Sequence, residues 1–122
     1  MNNEKIELIN SLNSRYETIV EQLKIIEQQI SELSTFEEEL GIIKEKSSQD
    51  MLVQIGKSVF AQVKIDPSSK LLVDVGAGYF INKNIDEVKL IVLEQKKRLE
   101  SFKLQMSPEL DKITQDLQSI IY

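Results

Sequence analysis

The sequence predicts an α+β fold that is mostly α: a long antiparallel coiled-coil hairpin with two β-hairpins at the end opposite the termini. Three observations predict it. A heptad-patterned segment runs from about Glu4 to Ser47, a second runs from about Asn84 to Tyr122, and Met51 to Asn82 between them reads as strands and turns. Two such helices joined through a short β insert fold back on each other. At 122 residues the chain is expected to be a single domain.

The first helix, about 4–47, is specified by Ile9, Leu12, Tyr16, Ile19, Leu23, Ile26, Ile30 and Leu33. Their spacings alternate between three and four, as in the a/d seam of a coiled coil. Continued strictly, that register meets Glu37 and Lys44, so the stripe slips to Phe36, Leu40 and Ile43, and the seam is expected to rotate there. Gly41 lies inside this stretch, at a cost of about 1 kcal/mol relative to Ala. At 1.5 Å per residue such a helix is roughly 65 Å long.

The insert, 51–82, alternates as strands do. Met51, Val53 and Ile55 share a face, as do Val59, Ala61, Val63 and Ile65, then Leu71, Val73 and Val75, then Tyr79 and Ile81. Gly56-Lys57-Ser58 and Gly76-Ala77-Gly78 mark the two hairpin turns, and Asp66-Pro67-Ser68-Ser69 links the hairpins. Each strand also places one large apolar residue on the opposite face: Leu52, Phe60, Leu72 and Phe80. Short hairpins with two apolar faces and free edges are poorly stable alone. Their burial against other subunits is expected, the alternative being packing on the helix ends of the same chain.

The second helix, about 84–122, opens with Asn84 as N-cap and with Asp86 and Glu87 in the first turn, where acidic groups complement the helix dipole. Ile85, Val88, Val92, Leu99, Phe102 and Met106 form its seam, interrupted by Gln95. Ser107-Pro108-Glu109 has the form of a helix restart, which predicts a kink or short break. Beyond it Leu110, Ile113, Leu117, Ile120 and Ile121 resume the stripe. Antiparallel pairing brings Ile43 near Ile85 and Ile9 near Ile120.

Composition excludes several chemistries. There is no Cys and no His, which removes thiol catalysis, disulfides, Cys/His metal sites and a histidine base. No metal or other cofactor is expected. A net charge of −5 disfavours nucleic acid, and Lys96-Lys97-Arg98 reads as a solvated helix face. The longest apolar run, Leu90 to Leu93, is far short of a membrane span, and no apolar stretch follows the N-terminus as in a signal peptide. A cytoplasmic protein without membrane association is expected. Gly76-Ala77-Gly78 is no dinucleotide loop, because the sixth position is Ile81 and no helix follows directly. The carboxylates Glu37-Glu38-Glu39, Asp86-Glu87, Asp111 and Asp116 fall on helix surfaces as solvating groups. Asp74, between Val73 and Val75, is expected to face solvent or a neighbouring subunit's basic group. With neither a nucleophile–base pair nor a phosphate loop, no enzyme is expected.

The order helix, two β-hairpins, helix resembles the α-class prefoldin family. The segment Leu71-Leu72-Val73-Asp74-Val75-Gly76-Ala77-Gly78-Tyr79-Phe80 is similar to that family's second hairpin, and Leu52-Val53-Gln54-Ile55-Gly56 through Val59-Phe60 to its first. The resemblance covers the whole chain. Two hairpins rather than one point to the α class over the β class. The chain departs from the family at the first turn, with Gln54 and Lys57 where a proline or small residue is usual.

The resemblance implies an ATP-independent chaperone subunit in a hetero-hexamer of two α-class and four β-class subunits. The hairpins would join into an inter-subunit β-barrel, and coiled-coil arms would hold unfolded clients and pass them to a group II chaperonin. Assembly is then expected through Leu52, Val53, Ile55, Val59, Phe60, Val63, Leu72, Val73, Val75, Tyr79, Phe80 and Ile81. Client contact is expected near the termini, where the helices separate, from Ile6, Ile9, Leu12, Ile113, Leu117, Ile120, Ile121 and Tyr122. The alternative is a structural coiled-coil scaffold subunit that assembles but captures no client.

Overall fold

The computed structural model describes residues 2–46, 49–66 and 70–121. Its elements follow in the order α1 (Asn3–Glu45), β1 (Asp50–Gln54), β2 (Phe60–Lys64), β3 (Leu71–Gly76), β4 (Tyr79–Lys83) and α2 (Ile85–Ile121). Two long helices therefore flank two small antiparallel sheets, β1–β2 and β3–β4. The predicted helix end at Ser47 and the linker residues Pro67, Ser68 and Ser69 lie outside the described residues. The chain divides into two compact units, one made of the residues up to Glu32 and from Lys96 onward, the other of Leu33–Gln95.

Both helices begin at an asparagine cap. Asn2 Oδ1 accepts the Lys5 amide at 2.8 Å, a cap the heptad pattern alone does not reveal. Asn84 is the predicted cap of α2. Its Oδ1 accepts the Glu87 amide at 2.8 Å, while the Asn84 amide donates to Glu87 Oε1 at 3.4 Å. Two otherwise orphaned helix-end donors are thus satisfied reciprocally. Replacing Asn84 by Ala is expected to destabilise the fold by about 1 kcal/mol, read as a lower urea midpoint at unchanged slope. An unchanged midpoint would mean that water serves these donors equally well.

In the first unit, Leu12, Ile19 and Ile113 form the buried core, with Leu23, Met106, Leu110, Leu117 and Ile120 packed around it. The pairing is antiparallel: Ile113 packs with Leu12 and Ile19, whereas the earlier Lys103 reaches the later Glu27, its Nζ 3.4 Å from Oε1. These are residues of the predicted seam. Tyr16, however, stays exposed at its edge.

Of the kink or short break expected at Ser107-Pro108-Glu109, the break does not occur: α2 runs continuously through Pro108. Pro108 lacks the amide hydrogen that would bond the carbonyl of Leu104. The missing bond falls on the solvent side, since Leu104, Ser107 and Pro108 are all exposed. Apolar packing of Met106 on one side of Pro108 and of Leu110 and Ile113 on the other holds the helix together.

In the second unit, Leu40, Ile85, Val88 and Val92 are buried together, and Leu33, Ile43, Leu71 and Val73 pack against them. Leu40, only 1% exposed, occupies the seam after the register slip, and Phe36 remains at its margin, exposed. Lys44 Nζ donates to Asp86 Oδ1 at 2.7 Å, which places the neighbours of Ile43 and Ile85 opposite one another as the spacing predicts. The hydrogen bond from Lys44, and then its charge, hold the Asp86 carboxyl below the usual carboxylate range. Strand β3 joins the helices through Leu71 and Val73, whereas no residue of β1 or β2 belongs to this core.

Candidate functional site

The hairpin registers determine which side chains share a face. In the first, Met51 pairs with Val63, Leu52 with Gln62, Val53 with Ala61 and Gln54 with Phe60. In the second, Leu71 pairs with Lys83, Leu72 with Asn82, Val73 with Ile81 and Asp74 with Phe80. Strand side chains alternate between faces, so Leu52 and Phe60 share one face of their hairpin, and Leu72 and Phe80 share the corresponding face of theirs. All four are 55–68% exposed. Packing on the helix ends of the same chain, the alternative considered for them, is not what these side chains do.

The opposite faces are open as well. Val53, Ile55, Val59, Val75, Tyr79 and Ile81 are exposed, and Val63 and Val73 are half-buried. The helices cover part of the inner face of β3, through Leu71 and Val73. An open groove runs beside it, lined by Phe36, Ile43, Leu71, Val73 and Ile91, with Asp74 and Gln95 among its polar members. Periodicity placed Phe36 in the slipped stripe but did not single out Ile91, which lines the groove without belonging to the seam read for α2.

The turns hold these faces in place. In the first hairpin the Ile55 amide donates to the Val59 carbonyl at 3.0 Å. The Gln54 side-chain amide donates to the Lys57 carbonyl at 3.2 Å and so bridges the same turn. In the second hairpin the register shifts between Asp74 and Gly76, which leaves Val75 as a bulge. The predicted alternation therefore stops one residue before the turn. Asp74 turns its carboxylate onto its own strand: Oδ1 accepts the Gly76 amide at 2.8 Å. Asp-x-Gly is the sequence signal for this arrangement.

Ala77 and Gly78, the central residues of that turn, both have positive φ, 52° and 79°, as in the two-residue loops whose twist matches the strands. Gly76 has φ 107°, yet a Cβ built there would meet nothing within 4 Å. Strain from a side chain at this position is therefore purely conformational. Gly76→Ala is expected to destabilise the hairpin by about 1–2 kcal/mol. Amide exchange across β3–β4 would read this as faster opening, and unchanged exchange would show that the turn readily relaxes.

The residues expected to meet clients divide by burial. Ile6 and Ile121 are exposed, Ile9, Leu117 and Ile120 are half-buried, and Leu12 and Ile113 lie within the core of the first unit. Ile113 is only 2% exposed. Tyr122 lies outside the described residues. Among the described residues no group of three or more acidic side chains could hold a metal ion, and no helix is long and apolar enough to cross a membrane.

Comparison with known proteins gives a consistent pattern. The family model described as "Prefoldin subunit" matches residues 6–122. A prefoldin subunit alpha of Methanobrevibacter smithii is 23% identical over 118 residues, covering 97% of this chain and 76% of that protein. One from Archaeoglobus fulgidus is 27% identical, covering 96% and 86%. One from Methanopyrus kandleri is 32% identical over 87 residues, which is 70% of this chain and 55% of that protein. Among solved structures, a chain of the filamentous PFD from Methanocaldococcus jannaschii superposes with TM-score 0.78 at 17% identity, covering 94% of this chain and 96% of that one.

Proposed function

The chain belongs to the prefoldin family, as an α-class subunit, and we propose that it works as a nucleotide-independent holdase within a hetero-hexamer of two α-class and four β-class subunits. The hairpins of the second unit are the assembly surface. Strand pairing between subunits would satisfy their free edges and close them into a β-barrel. The observation that carries this reading is the exposure of Leu52, Phe60, Leu72 and Phe80 together with the apolar residues on the reverse faces. A stable monomer gains nothing from such a surface, and an exposed two-faced strand pair is prone to uncontrolled edge association.

Clients are held by the helix pair of the first unit, through Ile6, Ile9, Leu12, Ile113, Leu117, Ile120, Ile121 and Tyr122. Each site offers a small apolar surface without sequence preference. Several subunits acting on one client convert weak contacts into avidity. Release requires no nucleotide if the client passes to a tighter binder, for which a group II chaperonin in the cytosol is the proposed recipient.

Burial of Leu12 and Ile113 favours a second reading, a scaffold subunit whose helices stay closed and capture no client. The two readings share the assembly step, so assembly is tested first. Native mass is measured for the chain alone and after mixing with β-class subunits from the same source. A defined complex containing two copies of this chain is expected. A stable monomer that ignores β-class subunits would overturn the assembly reading. A long homopolymer would instead favour the arrangement named for the filamentous relative.

A further inference from the structure

We draw no further inference here: the strongest candidate, the open apolar groove beside strand β3 lined by Phe36, Ile43, Leu71, Val73 and Ile91, belongs to the assembly surface already proposed, and nothing in the structure shows which chain covers it.

Discussion

Replacing Leu52, Phe60, Leu72 and Phe80 together by serine is expected to abolish assembly while leaving both helices folded. Full burial of a large apolar side chain contributes about 1.5–3 kcal/mol. These four are already up to about half covered in the isolated chain. Even about 1 kcal/mol from each gives roughly 4 kcal/mol per copy, close to a thousandfold in the association constant. Two copies in one complex would compound the loss. None of the four belongs to either buried cluster, so the helical circular-dichroism melt of the chain itself should shift little. Native mass spectrometry with β-class subunits supplies the readout. If the variant still assembled, backbone pairing at the strand edges would be sufficient, and the exposed faces would need another explanation.

The second large effect concerns clients. Replacing Ile6 and Ile121 by serine is expected to weaken suppression of client aggregation by about fivefold for each residue at each site, since both are accessible and each contributes roughly 1 kcal/mol to a held segment. Stability should barely change. Leu12→Ala and Ile113→Ala behave differently, because truncating a buried aliphatic side chain costs about 2–5 kcal/mol. Melts of the helix pair must therefore accompany the aggregation assay. Loss of holding in the Ile6/Ile121 variant, with an unchanged melt and an intact complex, supports contact on the accessible surface. Holding that responds only to Leu12 and Ile113 would point to clients that enter by opening the seam. If holding survived every one of these changes in an assembled complex, the scaffold reading would take its place.

Much of this architecture was legible because it depends on local periodicity. The three–four spacing from Ile9 to Leu33 follows from helix geometry, and its inward members Leu12, Ile19 and Ile26 are buried. The cap at Asn84 is equally local, since donor and acceptor are three residues apart. The same holds for the Gly76-Ala77-Gly78 turn, where positive φ at Gly76 and Gly78 favours glycine. Local rules misled where packing opposed them. Ser107-Pro108-Glu109 reads as a kink or short break, yet no break forms, because apolar contacts on both sides of Pro108 outweigh one lost hydrogen bond. Asp74 faces solvent, one of the two expectations for it, and its carboxylate also accepts the amide two residues on.

The sequence by itself determined the two helices, the two hairpins and their order, because each is encoded by periods, caps and turns within a few residues; the family was legible only as a resemblance, carried by the segment Leu71–Phe80. Only the tertiary structure decided which apolar residues are covered. Ile113 and Leu40 vanish into cores while Leu72 and Phe80, of similar hydrophobicity, remain in water. Hydrophobicity states that a side chain gains by leaving water. Whether it does so depends on what lies across from it: the helices lie across from Leu71 and Val73, while Leu52, Phe60, Leu72 and Phe80 stay exposed.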